Sequence, residues 1–116
     1  MNNREKGSRY EDQAASFFIS LGYEILEQNY RQKTGEIDLI AKDGKTIVFT
    51  EVKYRKNLRK GYPEEAVNYN KQKRIMRTAE WYLKEHRIPF DRPCRFDVIS
   101  ILDGELKHFI NAFGGF

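Results

Sequence analysis

Apolar positions recur along the chain in two rhythms, one with the period of a helix and one that alternates, and the changes between them mark out the elements. From Arg9 to Leu21, at about 100° per residue, Tyr10, Ala14, Ala15, Phe17, Phe18 and Leu21 fill one arc. Ser8 followed by Glu11 has the form of a capping box and Gly22 supplies a stop, so the spacing predicts a first helix over Arg9 to Leu21. Glu11 falls inside the apolar arc. It is either the capping-box acid or a carboxylate turned inward for chemistry. Tyr23 to Tyr30 then reads as a strand, Gln32 to Gly35 as a polar turn and Glu36 to Ala41 as a second strand. Asp43-Gly44 is a hairpin signal leading into a third strand, Thr46 to Lys53. Pro63 with Glu64 and Glu65 opens a short helical turn. Asn70 is placed to cap a longer helix to about His86, whose apolar arc holds Ile75, Met76, Ala79, Tyr82 and Leu83. Gln72 lies in that arc, at its N-terminal end. Arg95 to Leu102 and Glu105 to Ile110 form a second hairpin about Asp103-Gly104. The order is α-β-β-β-α-β-β.

Composition narrows the class. A chain of 116 residues, 40% hydrophobic and with three prolines, suits a single domain over residues 1–116 with one packed core. The lone cysteine, Cys94, closes no intrachain disulfide and has no cysteine partners for zinc, so a reducing, cytoplasmic setting is expected. Apolar runs are no longer than three residues, as in Ile47 to Phe49, and the first residues lead into no apolar segment. Neither a membrane span nor a secretory signal is expected.

The net charge of +4 is modest but unevenly placed. Lys53 to Arg77 holds nine basic residues against two acids, a net of +7 that leaves −3 for the rest. Arg55, Lys56, Arg59, Lys60, Lys71, Lys73, Arg74 and Arg77 are therefore candidates to grip a polyanion such as nucleic acid, with a solvated basic face as the alternative. Trp81, opposite the apolar arc of its helix, and Tyr54 and Tyr62, flanking the basic loop, could stack on bases or meet another subunit.

With Asp43 and Gly44 as the two loop residues of the first hairpin, Lys42 pairs with Lys45, Ile40 with Ile47, Asp38 with Phe49 and Glu36 with Glu51. Glu36, Asp38, Phe49, Glu51 and Lys53 then share a face, with Asp38 diagonal to Glu51 at roughly 7 to 8 Å between Cα atoms. Such a pair suits a shared hard cation, Mg²⁺ or Mn²⁺, with the Val52 carbonyl as a further ligand. Lys53 could position or deprotonate a water there, or stabilise charge on a phosphate. Glu-x-Lys alone is a weak signal, since Glu105-Leu106-Lys107 repeats it. The first copy follows Ile47 and Phe49 on one strand face, which extends an apolar, covered face rather than a wet one. Arg95 and Asp97 share a strand face, either as a structural ion pair or as site residues. His86 and His108 lack a close His or Cys partner, and neither is assigned to metal.

Gly35-Glu36-Ile37-Asp38-Leu39-Ile40 followed by Val48-Phe49-Thr50-Glu51-Val52-Lys53 resembles the PD-(D/E)XK nuclease signature, with Ile37 where the nominal motif has proline. Together with Gly7 and Glu11, Glu65-Ala66-Val67, Lys71-Gln72-Lys73, Arg95-Phe96-Asp97-Val98 and His108 to Phe113, the chain resembles the YraN family of that superfamily over nearly its whole length. The resemblance implies an α/β fold with a restriction-endonuclease-like core, a mixed sheet flanked by helices. It also implies Asp38 and Glu51 as metal ligands, Lys53 as the catalytic lysine, Glu11 as a first-helix acid near the metal and Gln72 as a polar residue turned toward the site. Glu36 is left as a neighbour of the ligands. The activity implied is Mg²⁺- or Mn²⁺-dependent hydrolysis of DNA phosphodiester bonds, and similarity to junction-resolving members points to branched DNA. A junction enzyme needs two sites and hence a homodimer. The alternatives are a non-catalytic nucleic-acid-binding module that kept the fold, or a protein whose basic loop binds an acidic partner.

Overall fold

The computed structural model describes residues 3–89 and 91–114, the first six of these as backbone only. Five strands form one sheet in the order β1 (Glu24–Gln32), β2 (Gly35–Asp43), β3 (Thr46–Arg55), β4 (Cys94–Leu102), β5 (Glu105–Phe113). All neighbours pair antiparallel except β3 and β4, which run parallel. A parallel pair needs a crossover, and it is supplied by a 3₁₀ turn at Pro63–Ala66 and the helix α2 (Tyr69–Glu85). The helix α1 (Asn3–Ser20) precedes the sheet. The fold is therefore the expected mixed α/β arrangement in the expected order.

Two helices on opposite faces explain why the central strands do not alternate simply between apolar and polar. In β3 the four residues from Ile47 to Thr50 are all buried, and in β4 the six from Phe96 to Ile101. Ile40, Ile47, Phe49, Phe96 and Val98 pack with Ile75, Ala79, Tyr82 and Leu83 of α2. Leu39, Ala41, Val48, Val52, Ile99 and Ile101 pack with Ala14, Ala15 and Phe18 of α1.

The structure corrects several local expectations. The backbone at Ser8 is already helical, because α1 begins at Asn3, so Ser8 is no N-cap; its side chain lies outside the described residues. Leu21 falls beyond the helix and is exposed. The cap of α2 is Asn68, whose side chain accepts a hydrogen bond from the Lys71 N–H at 3.0 Å, while Asn70 sits within the first turn. In the first hairpin Asp43 pairs with Thr46 and the loop is Gly44-Lys45. Gly44, at φ +59°, takes the first loop position. The register is thus two residues from the one expected, with Ile40 opposite Phe49 and Ala41 opposite Val48. Apolar residues now meet in both layers, and the like-charged pair Lys42–Lys45 is avoided. The second hairpin turns at Asp103-Gly104 as expected.

Beneath α1, Arg95 and Asp97 resolve as a structural ion pair. Asp97 is fully buried and accepts from Arg95 Nε at 3.0 Å and from the Asn111 N–H at 2.9 Å, with His108 Nε2 2.7 Å away. Arg95 also reaches Asp43 at 2.8 Å and the Tyr23 hydroxyl at 2.9 Å, so one carboxylate helps tie β4 to both hairpins and to the segment before β1. Burial would push the Asp97 carboxyl up, but the His108, Arg95 and Asn111 contacts outweigh it and hold the group below the usual range. A depressed carboxyl contributes stability that is present at neutral pH and lost as pH falls below its ordinary value near 3.8. Asp97→Asn should therefore cost about 3 kcal/mol at pH 7 in urea unfolding. The gap between the two proteins should close as the pH is lowered beneath 4, and a gap that stays constant would show that charge at Asp97 is not the stabilising factor.

Candidate functional site

The β2–β3 ladder stops at Leu39 and Thr50, and the next step along its register sets Asp38 against Glu51. Here the backbone is irregular on both sides of β2. Across from it, between the pairs Gln28–Leu39 and Tyr30–Ile37, Asn29 of β1 adopts a left-handed conformation at φ +56°. Within β2, Ile37 and Ile40 pack in the same cluster although strict alternation would part them. The Val52 N–H, beyond the ladder, donates instead to Asp38 Oδ2 at 2.8 Å. A side-chain carboxylate thus replaces a ladder carbonyl where the strands part.

The opening so formed is a cavity of about 370 Å³. Glu11 reaches it from α1, Glu36 and Asp38 from β2, Glu51, Val52 and Lys53 from β3, and Lys71 and Arg74 from α2. Gly35 completes the wall beside Thr78 of α2, and its φ of +149°, a conformation that residues with a side chain rarely adopt, is what calls for glycine where β2 begins. Lys53 Nζ is 3.3 Å from Glu51 Oε1, both side chains being largely shielded from solvent.

Burial of carboxylates, with crowding of negative charge as the second cause, dominates the electrostatics. Burial first, and Asp38 second, raise Glu51 above the ordinary carboxylate range, against the opposing charge of Lys53. Asp38 is raised by burial and by Glu36, although the Val52 N–H favours its ionised form. Glu11 is pushed up to about 7, by burial first and the Asp38 charge next, with a hydrogen bond to Asn29 acting the other way. Lys53 keeps its proton more firmly than usual: burial works against this, but its contacts with Lys71 and Glu51 prevail. Lys71 is lowered by its contact with Lys53 and then by burial.

Among the described residues no three His, Cys, Asp or Glu side chains converge as a ready-made ligand set. A cation here would rest on two carboxylates, with backbone carbonyl and water completing the shell, a donor set that suits Mg²⁺ or Mn²⁺ better than zinc. Burial is the first cause that raises both carboxyls, and the Asp38 charge adds to it at Glu51, so an ion that offsets this cost would favour both in their ionised form.

Of the expected site residues, Glu11, Asp38, Glu51, Val52 and Lys53 are brought together, whereas Gln72 is not. Its amide donates to the Val67 carbonyl at 3.1 Å, and it lines a neighbouring cavity. Lys71, one residue earlier and expected only in the basic grip, stands in the main cavity with Arg74. Lys56, Arg59 and Lys60 are exposed on the loop after β3, while Arg55 is half-buried and donates to the Tyr54 carbonyl. Lys73 lies over the exposed Tyr69 ring, and Arg77 is exposed on the same helix. Trp81 and Tyr62 are exposed, but Tyr54 stacks on Tyr10 of α1 with centroids 4.2 Å apart. His86 is occupied with the Tyr82 carbonyl. Asn29 was not signalled by its sequence context, since its place opposite Asp38 appears only once β1 and β2 are paired.

Comparison with known proteins finds a match to the model of the uncharacterised protein family UPF0102 over residues 10–101. A UPF0102 protein of Lachnoclostridium phytofermentans is 46% identical over 116 residues, covering 100% of this chain and 98% of the relative. One from Clostridioides difficile is 45% identical, covering 97% and 100%. One from Persephonella marina is 43% identical, covering 93% and 92%.

A carboxyl that is easier to protonate when folded destabilises the protein progressively as pH rises from its ordinary value, 4.5 for Glu11, to its folded value of about 7, and by a constant amount above that. In EDTA, Glu11→Gln should consequently gain on the parent across that window, by about 1 kcal/mol after allowance for solvent screening, read as a few degrees in melting temperature. A difference that does not change between pH 4 and pH 8 would mean Glu11 is not held in the cluster.

Proposed function

The chain belongs to the UPF0102 family, in keeping with the resemblance carried by its motifs, and we propose that it is a metal-dependent nuclease hydrolysing DNA phosphodiester bonds. The observation that carries this reading is the convergence of Asp38, Glu51 and Lys53 in one cavity with Glu11, Lys71 and Arg74. Asp38 and Glu51, with the Val52 carbonyl, would hold Mg²⁺ or Mn²⁺, which when bound polarises a phosphoryl oxygen and lowers the pKa of a bound water. Lys53, kept as an ammonium by Glu51 and Lys71, donates to a phosphate oxygen where charge develops. Lys71 and Arg74 meet the flanking phosphates, and Asp38, held by the Val52 N–H, keeps a fixed orientation. Glu11 closes the cavity from the α1 side, where its carboxyl can exchange a proton near neutral pH. The exposed Lys56, Arg59 and Lys60 extend the basic surface beyond the cavity. The lone Cys94 supports a reducing, cytoplasmic setting. Among the described residues no helix is long and apolar enough to cross a membrane.

Incubation with single-stranded, duplex, flapped and four-way DNA in Mg²⁺ or Mn²⁺ tests the assignment. Asp38→Ala and Glu51→Ala should each abolish cleavage while leaving DNA binding in place, and Lys53→Ala should lower turnover more than affinity. Cleavage by all three variants at the parent's rate would remove the activity from this cavity.

The basic loop gives a second prediction. Replacing Arg55, Lys56, Arg59 and Lys60 together should flatten the salt dependence of duplex binding, each true phosphate contact removing about 0.9 from the log–log slope. An unchanged slope would place the loop away from nucleic acid.

A further inference from the structure

Next to the carboxylate cavity lies a second, smaller one of about 220 Å³ that the proposed chemistry leaves unused. The two are neighbours by construction. Val98, which lines the second, is the cross-strand partner of Glu51 in the first, and Gln72 of the second follows Lys71 of the first. Paired strands lie about 4.8 Å apart, so a wall residue of one cavity stands one strand spacing from a wall residue of the other.

The walls are mixed in a specific way. Phe109 and Phe113 of β5, with Val98, supply apolar and aromatic surface, and Phe113 is itself braced against Phe96 at a centroid distance of 5.2 Å. Glu64 and Gln72 supply the polar part. One carboxylate oxygen of Glu64, Oε1, is buried with no hydrogen-bond partner among the described residues. Gln72 spends one of its two amide N–H donors on the Val67 carbonyl, and its amide oxygen remains as an acceptor. A buried acceptor without a donor is costly, and a ligand presenting N–H groups would remove that cost. The cavity is smaller than those that enclose drug-sized molecules, which limits the ligand to about one planar ring system.

We propose that this cavity receives an unpaired nucleobase bearing an amino group, beside the phosphate held at Lys53 and Lys71, and so selects DNA that is single-stranded, bulged or branched at the cleavage position. The inference rests on the nuclease reading for the neighbouring phosphate. A paired base cannot enter, because its hydrogen-bonding edge is engaged and its faces are stacked, and extruding it has a cost that an already unpaired base avoids. Phe109 and Phe113 provide the stacking surface that holds bases with little regard to sequence. Glu64 and Gln72 add a preference for adenine, cytosine or guanine, whose exocyclic amino group donates, over thymine, whose single N–H is flanked by two carbonyls that would face these acceptors.

Binding is measured in EDTA, where cleavage plays no part, by fluorescence anisotropy. The probes are a DNA duplex with one bulged adenine, the same duplex with a bulged thymine, and the fully paired duplex. The parent should bind the bulged-adenine duplex about tenfold more tightly than the paired one. Ala112→Trp, at an exposed position on the cavity wall, should fill the cavity and lose that preference with paired-duplex affinity unchanged. Glu64→Ala, which adds no bulk, should bring bulged adenine to the level of bulged thymine. Equal binding of bulged and paired DNA by the parent overturns the proposal and leaves cleavage at Asp38 and Glu51 standing, as does a preference that survives in both variants. A bulge preference lost in Ala112→Trp, with adenine and thymine levelled in Glu64→Ala, in a parent that fails to cleave with Mg²⁺ or Mn²⁺, supports the base site and rejects the nuclease reading. A parent that binds none of the three DNAs overturns both.

Discussion

One hydrogen bond, from the Val52 N–H to Asp38, stands at the point where the rest of the site divides. A sheet left to itself would continue the ladder and close β2 against β3. Here the pairing ends at Leu39 and Thr50, and a carboxylate takes up the donor that a carbonyl would have accepted. The exchange satisfies the amide, opens the sheet and fixes a negative charge at the opening. Asn29 makes it feasible from the other side, because asparagine tolerates the left-handed conformation that the kink requires, and its side chain reaches Glu11. Three elements are thereby coupled through a distortion of only a few residues.

The cluster also shows why acids and lysines must be considered together. Asp38 and Glu51 alone would resist ionisation in so shielded a place, and Lys53 alone would tend to lose its proton. Set together, Glu51 and Lys53 oppose each other's desolvation. Lys71 then bears part of the consequence, its charge disfavoured by the lysine beside it. Such a balance is sensitive to any added ion, which is the property expected of a binding site rather than of a structural ion pair. Arg95 and Asp97 make the contrast: Asp97 is surrounded by donors and its charge is reinforced from every side.

Much of this was legible in the sequence, for physical reasons that also mark the limit. The side-chain period of a strand is two, so an error of two residues in the hairpin register leaves every residue on its own face. That is why Asp38 and Glu51 were expected together even though Gly44-Lys45, and not Asp43-Gly44, forms the loop. A helix is less forgiving. Adjacent residues differ by about 100°, and Gln72 and Lys71 divide between two cavities on that basis. Glu11 has two readings as long as Ser8 is taken for an N-cap, since what rules that cap out is five further residues of helix whose sequence, Asn3-Arg4-Glu5-Lys6-Gly7, is polar and carries no apolar period. The Asp97 network was half visible, as a pair two residues apart on one strand. Its partners Tyr23, Asp43, His108 and Asn111 are distant in sequence and are gathered only by the sheet.

The asparagine on the first strand has a counterpart at the opposite margin of the sheet. Asn111 of β5 is also left-handed, at φ +53°, and its N–H is turned inward to Asp97. Both outermost strands, β1 and β5, carry register shifts as well. Neither margin therefore offers the straight row of free amides and carbonyls on which a second chain could continue the sheet. Straight strand-by-strand growth of the kind open to flat sheets is therefore disfavoured at both margins, and the irregularities that shape the interior of the sheet also blunt its edges.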